Sequence, residues 1–201
     1  MAGAVFDLRQ RGPDARAATK LACTALVGLA LAVGAFGPAR AQPVPADENA
    51  LKAAFVYNFA KFTDWPEEVW NRATHLRVCA SAGNDAFAKA VAGLDTKPAV
   101  RGKPVEVRML TRPEDAAGCQ ILVLTGREGL APWLRGVRNA PVLTVGEAEG
   151  FAAAGGVIGL FTEGDKLRFE INQDAAQRAG LKLSSQVLKL ARLVTEAAPS
   201  R

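Results

Sequence analysis

Residues 119–124 read Cys119-Gln120-Ile121-Leu122-Val123-Leu124 (CQILVL). From Ile121 to Leu124 the run is apolar without alternation, and Thr125-Gly126 ends it. A strand with one wet face alternates polar and apolar residues. An unbroken apolar run suits a strand covered on both faces, as in a parallel sheet between helical layers.

Outward from this run, other strands alternate. His75 to Ala80 places Leu76 and Val78 on one face, and Pro104 to Leu110 does the same with Val105, Val107 and Met109. Val142 to Val145 is a fourth strand. Val157–Phe161 and Leu167–Ile171 form a hairpin around Glu163-Gly164-Asp165. Helical patterns lie between. From Glu48 to Phe62, Leu51, Phe55, Phe59 and Phe62 make one stripe, and the Trp65-Pro66 step stops the helix. Asn84 or Asp85 caps a short helix through Ala92. Further helices are predicted at Glu128–Val137, at Ala148–Ala154 (closed by Gly155-Gly156), at 173–179 before Gly180, and at 185–196. In the last, Val187, Leu188, Ala191 and Val194 form the buried stripe, Ser184 caps it, and Leu183 and Leu188 take hydrophobic-staple positions. The expected fold is α/β: a three-layer sandwich with a mixed, mainly parallel sheet ending in an antiparallel hairpin.

The chain has 201 residues, 49% hydrophobic and 22% charged. This excludes a disordered or collagen-like chain. Its first 41 residues read as a leader. Arg9, Arg11, Arg16 and Lys20 precede an apolar run, Leu21–Phe36, which Pro38 and Ala39-Arg40-Ala41 follow. That is the pattern of a secretory signal with an A-x-A cleavage site, so residues 42–201 form the mature domain, exported to the periplasm. The run is shorter than the ~20 residues of a spanning helix, and no membrane insertion is expected after cleavage. The leader holds five of the 25 basic and two of the 20 acidic residues, leaving 20 against 18, a formal +2. With no Lys/Arg block, nucleic-acid binding has no electrostatic warrant.

Cys23 leaves with the leader, so the domain keeps Cys79 and Cys119. An even count in an oxidising compartment reads as a disulfide. Geometry sets a condition. Cys79 comes late in one strand and Cys119 opens another. In-register parallel neighbours would set them near opposite ends, where their Cα atoms could exceed the ~7 Å bridging limit. Either the strands are offset, or the thiols stay free or pair between molecules; an intramolecular bond is the favoured expectation.

Sequence motifs for catalysis are missing. There is no G-x-S-x-G, H-E-x-x-H, Walker or G-x-G-x-x-G pattern in the domain. Gly155-Gly156-Val157-Ile158-Gly159 precedes a strand and reads as a tight turn. With one histidine, His75, no metal site and no cofactor is expected. A hydrolase would pair His75 with Ser81, Ser184 or Ser185, and nothing places such a serine on a strained elbow. Glu67-Glu68 and Glu114-Asp115 read as solvated acids at helix starts. Trp65, Trp70 and Trp133 are core residues on the simplest reading. Tryptophan also favours binding surfaces, and Trp133 follows the apolar strand at the end where α/β sheets bind ligands. A small-ligand sensor with a Trp-lined pocket is therefore the alternative function.

The run from Leu51 to Pro66 (LKAAFVYNFAKFTDWP) resembles the opening signature of the YfiR/HmsC-like family, carried here by Tyr57, Asn58, Phe59, Lys61, Phe62, Trp65 and Pro66. Leu76–Cys79, Cys119–Leu122, Arg168–Asn172 and Ala179–Ser185 resemble later stretches of the family in the same order. The resemblance implies a periplasmic regulator without catalytic activity. Such a protein binds the periplasmic part of an inner-membrane diguanylate cyclase and represses it, lowering cyclic-di-GMP and biofilm formation. It also implies that dimers occur and that cysteine pairs respond to redox conditions. The Cys79–Cys119 pair matches one family pair, but a second pair found in some members is missing here.

Within the signature, Asn58 lies near the apolar stripe and should be hydrogen-bonded where buried. Lys61 and Asp64 are three apart near the helix end, where a cation suits the dipole. Glu170 and Asn172 share one side of the hairpin's second strand. If that strand is a free edge they form, with Trp133, a candidate partner surface. Otherwise Asn172 caps the next helix.

Overall fold

A computed structural model describes residues 47–81, 85–126 and 129–197. The leader 1–41, and with it the expected cleavage site, lies outside the described residues.

The chain enters through α1 (Glu48–Lys61), whose first turn is capped by Asp47 accepting from the Asn49 N–H. A short strand β1 (Thr63–Asp64) and helix α2 (Glu67–Arg72) follow. Then come β2 (Leu76–Ser81), α3 (Ala86–Ala92), β3 (Val105–Leu110), β4 (Ile121–Leu124), α4 (Leu130–Val137) and β5 (Leu143–Gly146). The hairpin β6 (Ile158–Glu163) and β7 (Lys166–Asn172) leads to α5 (Gln173–Arg178), β8 (Lys182–Leu183), α6 (Ser185–Leu188) and β9 (Arg192–Val194).

The main sheet has the order β3-β2-β4-β5-β6-β7-β9. Pairing is parallel from β3 through β6, antiparallel between β6 and β7, and parallel between β7 and β9. β1 and β8 form a separate antiparallel pair, Thr63 opposite Leu183. The apolar run behaves as expected: Ile121 and Val123 enter one core, with Leu143, Val145 and α1, while Leu122 and Leu124 enter a second on the opposite face, with Cys79, Val137 and Phe151. A sheet buried on both faces, with helices on each, is the α/β sandwich. Pro132 fits in α4 because it is the helix's third residue, where an N–H has no intrahelical acceptor to lose.

Four local expectations are corrected. The stripe on α1 is rotated: Ala53, Val56, Phe59 and Ala60 are buried, while Leu51 and Phe62 are 38% and 37% exposed. Phe55 and Phe59 meet Phe169 of β7 edge-on at 5.8 and 5.1 Å, which turns the helix this way. Residues 148–155 form turns rather than a helix, because Phe151 folds back between two glycines. The segment 185–196 is one helical turn and then β9, whose main chain pairs with Glu170–Asn172 on the outer edge of β7. Ser184 stands at the N-cap of α6, but its hydroxyl makes no capping bond.

Candidate partner-binding surface

The signature segment joins α1 to the sheet. Phe59 is core, and Trp65 stacks on Trp70 with centroids 5.5 Å apart. The Trp65 Nε1–H donates to the Gln120 carbonyl at 3.1 Å, tying the exit of α1 to the start of β4. The Ser184 N–H donates to the Phe62 carbonyl at 2.9 Å, and Pro66 begins α2. Asn58, Lys61 and Phe62 face outward, while Tyr57 is half-buried against the core. The Tyr57 hydroxyl donates to the Pro98 carbonyl at 3.0 Å, and the Lys61 ammonium sits 4.2 Å over the Tyr57 ring while donating to the Asn58 Oδ1. Asn58 is thus exposed, not buried, and Asp64 pairs with Arg101 at 2.7 Å rather than with Lys61. The aligned Tyr57, Asn58, Lys61 and half-exposed Phe62 form a polar-aromatic ridge.

On the opposite face Cys79 and Cys119 form a disulfide with Cα atoms 6.0 Å apart. β4 begins at Ile121, and the chain bends at Gln120, so Cys119 lies before the strand and over the sheet. The bend brings it to Cys79, although the residue opposite Cys79 in the ladder is Leu122. Gln120 fixes the bend: its N–H donates to the Arg77 carbonyl and its Oε1 accepts from the Arg77 N–H. Trp133 is half-buried on α4 against this cluster.

Glu170 and Asn172 do not lie on a free edge. β7 is paired on both sides, and the two residues are 7% and 0% exposed. Asn172 is a structural hub: its Oδ1 accepts from the Ala175 N–H at 2.9 Å and its Nδ2 donates to the Ala152 carbonyl at 2.8 Å. Glu170 pairs at 2.7 Å with Arg192, its neighbour on β9, whose guanidinium lies 4.1 Å over the Phe161 ring. Trp133 is half-buried on α4 beside the disulfide, whereas Glu170 and Asn172 are buried in the sheet, so these three residues are not one surface.

Glu170 does line a cavity of about 440 Å³, which sequence reasoning missed. It opens where β5 stops and β6 continues. Lys52 of α1 reaches into it and bridges Glu48 at 2.9 Å and Glu147 at 2.7 Å. Burial works against the Lys52 charge, but the hydrogen bonds to Glu147 and Glu48 outweigh it and hold its pKa above the ordinary value. A second cavity, about 370 Å³, has Trp65, Asp64, Arg101 and Lys182 in its walls.

Among the described residues no serine hydroxyl hydrogen-bonds to His75. The histidine is exposed beside the Thr74 hydroxyl, one residue before β2, and Ser81 ends that strand, about 20 Å away at ~3.3 Å per residue. Among the described residues no group of three His, Cys, Asp or Glu side chains could hold a metal, and no helix is long and apolar enough to cross a membrane.

A sheet buried on both faces between helical layers, with a buried disulfide on one face, defines an α/β sandwich domain. The chain belongs to the YfiR/HmsC-like family, whose sequence profile matches residues 49–192, from the first turn of α1 to the first residue of β9. Its members are regulators rather than enzymes. No curated protein sequence matches the chain.

Proposed function

We propose that this protein, after removal of residues 1–41, acts in the periplasm by binding the periplasmic part of an inner-membrane diguanylate cyclase and holding it inactive, which lowers cyclic-di-GMP and biofilm formation. The observation that carries this reading is the family match over residues 49–192. A protein of this kind works by contact, and it needs no cofactor. Deletion of the gene should raise cyclic-di-GMP, and crosslinking in intact cells should recover a membrane cyclase. An unchanged nucleotide level with no membrane partner recovered would overturn the reading.

A second reading draws on the cavity walled by Trp65 and Arg101: a periplasmic sensor of a small ligand. Screening amino acids and nucleotides by tryptophan fluorescence tests it, with quenching that disappears in Arg101→Ala as the supporting result.

A further inference from the structure

We propose that the cavity beside β6 is a strand-addition site for a short, extended, basic segment of a protein partner. β5 ends at Gly146, opposite Gly159, while β6 continues to Glu163. Leu160–Glu163 therefore have a strand neighbour, β7, on one side only. Four residues span about 13 Å of edge.

The ladder shows which groups face the gap. The Asn172 N–H donates to the Val157 carbonyl at 2.9 Å. Alternation in an antiparallel pair then gives residues 157, 159, 161 and 163 to β7, and turns the main chain of Thr162 and the Leu160 carbonyl toward the place beyond the end of β5. The chain after Gly146 does not fill that place. It turns back on itself, with the Ala148 carbonyl accepting from the Phe151 N–H and the Gly150 carbonyl from the Ala154 N–H. A row of main-chain groups with no partner among the described residues, beside a cavity, is a template for an added strand.

The walls set the sign of the occupant. Glu48, Glu147, Glu149 and Glu170 face Lys52 and Arg192, an excess of two carboxylates on a domain that is otherwise slightly basic. Three of the four share those cations, whereas Glu149 is exposed and makes no ion pair among the described residues. A lysine or arginine on the added segment meets Glu149. Apolar or β-branched neighbours meet Leu160 or Phe161 on the two faces of the strand. An acidic segment is repelled.

The test uses the purified mature protein and dye-labelled, end-capped hexapeptides in fluorescence anisotropy. One peptide alternates threonine and lysine, one alternates threonine and glutamate, and a third is the lysine peptide N-methylated at alternate residues. The lysine peptide should bind about tenfold more tightly than the glutamate peptide, and N-methylation should abolish binding. Glu149→Lys, on an exposed side chain, should weaken binding about fivefold without moving the melting temperature. Thr162→Pro, which removes an N–H facing the gap and none from the β7 ladder, should abolish it. Equal binding of both charge forms, binding that survives N-methylation, or no binding at millimolar peptide would overturn the proposal. So would a concentration-dependent dimer dissolved by Glu149→Lys, since a second copy would then be the occupant. The assay contains no cyclase, so its failure leaves the function proposed above standing, and failure of the cellular crosslinking leaves the peptide result intact.

Discussion

The ring of Phe151 lies flat against the backbone of Gly146: a Cβ placed there would stand 2.5 Å from the ring's Cδ2 and Cε2. Gly156 closes the other side even more tightly. Phe151 is fully buried between them, and the turns of residues 148–155 exist to carry it there.

Neither glycine has a positive φ, so space rather than backbone conformation excludes a side chain. Gly156→Ala should cost about 2 kcal/mol through overpacking, and lower the melting temperature by roughly 4–8 °C. Phe151→Ala should cost about 3–5 kcal/mol. In the double variant the alanine fills part of the vacated space, so thermal unfolding should show less destabilisation than the sum of the two singles.

The disulfide closes a loop of 40 residues. On a chain-entropy basis its removal by Cys79→Ala with Cys119→Ala should cost up to about 4 kcal/mol, read as a lower urea midpoint. Both cysteines are buried, so a mild thiol reductant should leave the native bond intact. Free thiols should titrate only after denaturant is added.

Asn172 performs two tasks that substitutions separate. Asn172→Ala loses the cap of α5 and one of the two hydrogen bonds at the buried Ala152 carbonyl, which keeps the Gly155 N–H, a cost of about 1–3 kcal/mol. Asn172→Asp keeps the cap acceptor but brings a carboxylate against that carbonyl. Its loss should shrink as pH falls and the added carboxyl protonates, a trend that urea titrations at several pH values will read.

Glu106 on β3 bridges Arg108 at 2.7 Å and Arg77 at 3.2 Å. The Arg108 hydrogen bond, joined by that of Arg77 and opposed by burial, holds its carboxyl below the ordinary 4.5. Glu48 is lowered too, first by its hydrogen bond to Lys52. A carboxylate with a lower pKa folded than unfolded adds stability above the unfolded value, and that stability is lost as pH falls through the folded one. Urea midpoints should therefore drop as pH falls below about 4.5, and less steeply in Glu106→Gln. The residues are partly exposed, so added salt should flatten the difference.

What the sequence made legible was local. The apolar run Ile121–Leu124 announced a sheet covered on both faces, and the hairpin turn at Gly164 announced the antiparallel pairing of β6 and β7. The segment 185–196 misled because Val187, Leu188, Ala191 and Val194 keep helical spacing, whereas the partner of β9 is β7, about twenty residues upstream. Cys119 has the sequence pattern of a strand residue, but the bend at Gln120 sets it before β4. Glu170 stood out in the sequence, but its setting did not. The cavity it lines comes from a mismatch in length between β5 and β6, and no window along the chain contains both that mismatch and Lys52 of α1.

The bond between Cys79 and Cys119 encloses β3 and its flanking connections in a covalent ring. A protease that nicks the backbone once anywhere from residue 80 to 118 will therefore not release a fragment. The two pieces will migrate as one species on a gel run without reductant and separate only when reductant is added.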